Sequence, residues 1–269
     1  MSREVRIDKV PQRIISLSPT STEILFALGL GDKVVGVTRY CDYPEEAKEK
    51  EIVGGFADPD PEKIMALKPD LILAFGTLQK SLASKLEERG QTVFWFYPHT
   101  FADILESFES IGKLTGRLTA AQQLRKRVEE RVEAVQKRVK DIPEQERPTV
   151  FRVHSGSPRT IGTIGGEAFQ TGVYHLAGGK NIFADTKKDY FEVDLETILE
   201  LDPDIIVVAG EDETEVKTKI KSREGWEGLT AVKTDRIVVI PAELICRPGP
   251  RLGLTIEKLA KEFYPERFP

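Results

Sequence analysis

The feature that most constrains this chain is a repeat within it. Residues 61–76 read PEKIMALKPDLILAFG, and residues 195–210 read LETILELDPDIIVVAG. Aligned without gaps, Glu, Ile, Leu, Pro, Asp, Ile and Gly coincide, and Glu62 falls on Glu196. Each copy reads as a short helix, a Pro-Asp turn and an all-apolar strand. A strand without polar alternation belongs in a parallel sheet covered on both faces. Each half also opens with a strand, a Ser/Gly/Pro loop and a helix stopped near glycine, at Gly29 or Gly31 and at Gly178-Gly179. Strand and helix alternate along the whole chain, which is the pattern of α/β layering. The 269 residues have room for two units at roughly 100–200 residues each. The expectation is two similar Rossmann-like lobes.

What joins them stands out by composition. Residues 118–142 contain no Gly or Pro, and Leu124, Val128, Val132, Val135 and Val139 recur at three- and four-residue steps. That is one apolar stripe on a helix. At 1.5 Å per residue, about 25 residues make a rod of about 37 Å. The predicted organisation is an N-terminal lobe over 1–117, a single linking helix over 118–142 and a C-terminal lobe over 143–269. Near the start, residues 13–17 read as a strand broken by Ser18-Pro19. Thr20 and Glu23 fit a capping box for the helix that follows.

Several classes of function are excluded. Lys plus Arg is 39 and Asp plus Glu is 44, a net charge of −5, without the basic footprint of a nucleic-acid binder. No apolar run is long enough for a membrane-spanning helix. Two cysteines, Cys41 and Cys246, make no disulfide framework. The three histidines form no HExxH pair, and there is no Walker-type loop. Gly29-Leu30-Gly31 follows a helix, so it stops that helix and cradles no phosphate. Gly165-Gly166 precedes a helix and would offer at most a weak anion site. The expectation is a binding protein and not an enzyme, with no metal of its own and no cofactor. Residues 1–8 (MSREVRID) lack the apolar core of a secretory signal, so this chain is either trimmed at that boundary or works in the cytoplasm.

In open α/β sheets, ligands sit beyond the carboxyl ends of the strands, and two such lobes should turn those ends to a shared cleft. In the first lobe the strand ends carry Ser18, Thr20, Arg39, Tyr40, Cys41, Tyr43, Phe56, Phe75 and Tyr97. In the second they carry His154, Ser157, Tyr190, Phe191, Cys246 and Arg247. Aromatic faces suit a large planar or macrocyclic ligand, and arginines supply fixed donors to anionic groups. Trp95 and Trp226 read as packing residues. Glu62 and Glu196 each start a short helix, where a carboxylate favours the helix N-terminus. Their repetition also suggests two acidic knobs for a basic partner.

The segments RIISLSPTSTEILFALGLGDKVVGVTRYCDYP, PEKIMALKPDLILA, LAGGKNIFAD, VDLETILELDPDIIVV and RPGPRLGLTIEKLAKEFYPE resemble, in order, the periplasmic solute-binding proteins of the cobalamin and ferric-siderophore class. The likeness is greatest to the cobalamin-binding branch. It implies two α/β lobes on one long helix, a ligand in the interlobe cleft, and delivery to an ABC permease and ATPase by a monomer outside the cytoplasm. For cobalamin or a related corrinoid, the matching positions are Tyr40, Phe56, Phe75 and Tyr190, with His154 packed on the corrin or bonded to it and Arg247 near the mouth. Arg251 reads as structural. Glu62 and Glu196 match the glutamates that dock on the permease. For a ferric siderophore or haem, Arg39, Arg152, Arg159 and Arg247 would serve. A cytoplasmic corrinoid-handling protein on the same fold is a further alternative.

Overall fold

The computed structural model describes residues 5–156 and 160–268; Ser157, Arg159 and the first four residues lie outside that set. The chain divides into two units, residues 1–98 with 102–127 and residues 99–101 with 128–269.

In the first unit β1 (Ile14–Ser16) leads to α1 (Pro19–Ala27), β2 (Val34–Val37), β3 (Glu51–Ile52), α2 (Pro61–Ala66), β4 (Leu71–Phe75), α3 (Lys80–Glu88) and β5 (Val93–Phe96). Helices α4 (Phe101–Leu114) and α5 (Leu118–Val139) follow. The sheet order is β3-β2-β1-β4-β5, with every pairing parallel. All five residues of β4 are buried, as an apolar run in a doubly covered parallel strand must be. Ile15, Leu17, Ile64, Ile72, Leu86 and Val93 form a core on one face of that sheet.

Helix α1 starts two residues earlier than a capping box at Thr20 requires. Ser18 is the N-cap, its hydroxyl accepts the Ser21 amide, and Pro19 holds the first helical position. Proline is suited there because its missing N–H would have had no partner in the helix. The linking helix also ends early, at Val139 instead of Ile142. Pro143 disfavours helical backbone in the residue before it, and Lys140 to Ile142 close the end as turns. The apolar stripe is where the periodicity puts it: Leu124, Val128, Val132, Val135 and Val139 are all buried.

The second unit contains β6 (Thr149–Val153), β7 (Ser155–Gly156), β8 (Thr160–Ile164), α6 (Phe169–Leu176), β9 (Lys180–Asn181), β10 (Tyr190–Asp194), α7 (Leu195–Leu201), β11 (Ile205–Ala209), α8 (Glu213–Lys221), α9 (Thr230–Lys233), β12 (Ile237–Ile240), α10 (Ala242–Ile245) and α11 (Leu252–Phe263). Its parallel sheet runs β12-β11-β6-β9. A separate antiparallel sheet, β10-β8-β7, is an addition that strand–helix alternation does not predict. Phe151, Ile198, Ile206, Val208, Trp226 and Leu229 form a core of this unit.

The repeat has a structural meaning in both units. Asp60 and Asp194 sit one residue before the aligned segments and are the N-caps of α2 and α7. Lys68 and Asp202, at the same place in each copy, both have positive φ, 48° and 34°. The Pro-Asp aspartates then reach back to the first strand of their own unit. Asp70 accepts the amides of Gln12 and Arg13, and Asp204 accepts the amide and hydroxyl of Thr149. Gly165-Gly166 is not an anion cradle. Its amides donate to the Asp189 and Thr186 carbonyls, and a Cβ on either glycine would lie 2.3 or 2.0 Å from a backbone oxygen.

Candidate functional site

In the first unit the chain leaves β1 toward β2 on one side and later reaches β4 on the other, so the carboxyl ends of β1 and β4 flank the switch point where α/β sheets bind ligands. Phe75 ends β4, and Gly76 follows with φ +72°. Around Phe75 lie Phe56 at 6.3 Å, Phe96 at 5.2 Å and Tyr97 at 5.9 Å between ring centroids. Phe96 and Tyr97 meet Phe75 edge-on, an arrangement aromatic quadrupoles favour. Tyr40 and Tyr43 are about half exposed, at 52% and 47%. Arg39 is exposed and pairs with Asp58 at 3.7 Å.

Gln79 organises this face. It is buried, accepts the Phe75 amide at 2.9 Å, and donates to the Leu17 carbonyl at 2.7 Å and the Phe56 carbonyl at 2.8 Å. One side chain thus ties together the ends of β1 and β4 and the Phe56 loop. No short motif announces it, because its partners lie up to 62 residues away. Ser18 and Thr20, also expected at the ligand, are buried. Ser18 is held in a hydroxyl network with Ser16, Ser21 and Thr22. Cys41 is buried against the Thr38 hydroxyl at 3.2 Å. Trp95 is half-buried and donates to the Gly76 carbonyl.

In the second unit the corresponding edge follows β6 and β11. The His154 amide donates to Gly162 at 2.8 Å, and its ring lies 4.8 Å from that of Tyr190 at 40°. Gln170, buried in α6, donates to the Tyr190 hydroxyl at 3.2 Å. Beneath them is Arg152, 1% exposed. It donates to the Val207 carbonyl at 3.3 Å and to Cys246 Sγ at 3.9 Å. Its Nε and the hydroxyl of fully buried Tyr174 have no hydrogen-bond partner among the described residues. Burial pushes the Tyr174 and Tyr190 hydroxyls up in pKa, so both are neutral donors at pH 7. Cys246 is exposed and Arg247 half-buried. Sequence reasoning missed Gln170 and Tyr174, which lie within a helix whose inner face only the fold reveals. Arg251 is the N-cap residue of α11 and donates to the Glu243 carbonyl. Trp226 is core, with the Arg223 guanidinium 4.8 Å above its ring.

Burial, and after it the Arg152 charge, push the His154 imidazole below its usual range. Above about pH 6.5 the ring is neutral folded or unfolded, and it contributes no pH dependence. Below that the unfolded chain takes up the proton first, so stability falls with pH and levels off beneath the folded pKa. Urea midpoints measured at about pH 7.5 and about pH 5 should therefore drop less in His154→Gln than in the wild type. An equal drop would show that the ring is not held neutral.

Glu62 lies in the first turn of α2 and Glu196 in the first turn of α7, both exposed. Glu62 pairs with Arg89 at 3.0 Å. Among the described residues no group of three or more His, Cys, Asp and Glu side chains could hold a metal ion, and no helix is long and apolar enough to cross a membrane.

Two α/β units built on parallel sheets, sharing one long helix and carrying aromatic clusters at strand carboxyl edges, define the class of two-lobe solute-binding proteins. The chain belongs to the periplasmic binding protein family, whose sequence profile matches residues 14–244. It is 36% identical over 272 residues to YvrC of Bacillus subtilis (strain 168), an uncharacterised ABC transporter substrate-binding lipoprotein, covering 99% of this chain and 84% of that one. The structure of the periplasmic vitamin B12 binding protein BtuF of Vibrio cholerae superposes with a TM-score of 0.83 at 30% identity, covering 96% and 99% of the two chains. That of a possible iron-binding (periplasmic solute-binding) protein from Staphylococcus epidermidis ATCC 12228 gives 0.81 at 30%, covering 95% and 100%. The chain is thus the substrate-binding component of an ABC importer and not an enzyme. What it carries is a transported ligand, not a cofactor.

Proposed function

We propose that the transported solute is cobalamin or a related corrinoid. The observation that carries this is the aromatic cluster of Phe56, Phe75 and Tyr97, beside half-exposed Tyr40, with the His154–Tyr190 pair as its counterpart in the second unit. Flat apolar faces with polar edges match a corrin ring and its amide fringe. Similarity to the vitamin B12 binding protein BtuF supports the same ligand. The solute is handed to the permease through Glu62 and Glu196, and the protein works as a monomer outside the cytoplasm, as its lipoprotein relative suggests.

Calorimetry with cyanocobalamin and with cobinamide tests the ligand. One-to-one binding is expected, with Tyr40→Ala and Tyr190→Ala each weakening it by about 1–3 kcal/mol as stacked anchors. No binding of either compound would overturn the assignment. A ferric siderophore or haem is the second reading. It is favoured by Arg152, a buried guanidinium with no carboxylate partner among the described residues, together with Arg39, Arg247 and the likeness to a possible iron-binding protein. Arg159 lies outside the described residues. Titration with haemin and a ferric hydroxamate separates the two readings.

A further inference from the structure

We infer that Cys246 is a metal-binding thiolate for the cargo, donating its sulfur to an open axial position on the metal of a planar macrocyclic chelate. This rests on the proposed solute class, a corrinoid or, in the second reading, haem.

Three observations converge on the sulfur. Cys246 directly follows α10, which itself follows β12, so it stands at the carboxyl edge of the second unit's parallel sheet, and its side chain is exposed. Arg152, 1% exposed, aims Nη2 at that sulfur from 3.9 Å beneath. Its other hydrogen bond is to a neutral carbonyl, and its Nε has no partner among the described residues. A buried cation is costly unless an anion answers it. Here the group placed to answer it is an ionisable sulfur that also faces solvent.

Thiolate, not thiol, is the form that ligates metal, and soft sulfur donors suit cobalt and iron held in a macrocycle. The exchange balances simply. The thiol proton leaves to solvent, the sulfur lone pair fills the axial position, and the water bound there departs. The oxidation state of the metal does not change. The guanidinium offsets the negative charge on sulfur and steers it through a charge-assisted contact. His154 is the other donor on this edge, but a neutral imidazole would leave the Arg152 charge unanswered. Its ring stacks on Tyr190, which suits it to packing on the chelate.

The test uses diaquocobinamide and haemin as probes, with absorbance as the readout. The wild type should bind at least one of them with a thiolate-to-metal charge-transfer band. Cys246→Ser should fold, still bind, lose the band and weaken affinity by about tenfold or more. His154→Ala should keep the band. Binding by the wild type without such a band overturns the inference and leaves the proposed solute intact. So does a Cys246→Ser protein with wild-type spectrum and affinity. If the wild type binds neither probe, the solute assignment and this inference fail together.

Discussion

Replacing Gln79 with leucine is expected to lower the unfolding free energy by about 3 kcal/mol or more, since it leaves three backbone groups without their partner at about 1–3 kcal/mol each. Those groups are the Phe75 amide and the Leu17 and Phe56 carbonyls. Leucine nearly matches glutamine in volume, so little of the loss would come from a cavity. The variant should shift the urea midpoint with no change in slope. It should also release the Phe56 loop, whose ring stands 6.3 Å from Phe75, and so weaken binding of the proposed ligand even at temperatures where the protein stays folded. A midpoint within experimental error of the wild type would show that the three bonds are replaceable. Gln79→Glu is a useful companion, because it keeps the acceptor for Phe75 and removes both donors.

The second large effect concerns delivery. In Glu62→Ala combined with Glu196→Ala, ligand affinity should be unchanged and uptake into vesicles carrying the permease and ATPase should be abolished. Truncating one partner of a charge pair enclosed in a complex costs about 2–5 kcal/mol, and two such losses exceed what a transient docking interaction can spare. The two sites are not equivalent. Glu62 is already engaged by Arg89 at 3.0 Å, so under the proposed docking role a basic group of the permease would have to displace Arg89 there. Both partners are mostly exposed, at 80% and 51% of their side-chain surface, and such pairs contribute only about 0–1 kcal/mol. The exchange is therefore easy. Loss of ligand binding in the double variant, or undiminished uptake, would refute the docking role.

The contrast between Gln79 and the glutamates shows what a linear sequence can display. Glu62 and Glu196 were legible because duplication printed them twice, seven coincidences deep. The same alignment contains the Pro-Asp aspartates, although only the structure shows that Asp70 and Asp204 bind the first strand of each unit. The stripe from Leu124 to Val139 was legible because a helix converts spacing into a face. Local signals that compete were misread. A capping box at Thr20 and a serine before proline make the same promise, and the Ser18 hydroxyl is the one that keeps it. The aromatic clusters were readable as strand-end residues, but which rings touch was not. Gln79, Gln170 and Tyr174 were invisible because their roles are set by partners distant in sequence. The antiparallel sheet was hidden because β7 has only two residues and β10 is mostly exposed, unlike the buried parallel strands.

Asp70 and Asp204 carry a consequence for how each unit is fastened. Each stitches its helix–strand junction to the amino end of its unit's first strand, away from the edge that bears Phe75 or His154. One rim of each sheet is a seam stitched by an aspartate, and the other carries the longer loops, pinned in the first unit by Gln79. Beyond that pin, loops on this rim can lengthen, shorten or exchange tyrosine for arginine without disturbing the aspartate stitches. A chassis fastened along one border can therefore be refitted for a different cargo by changing only the other.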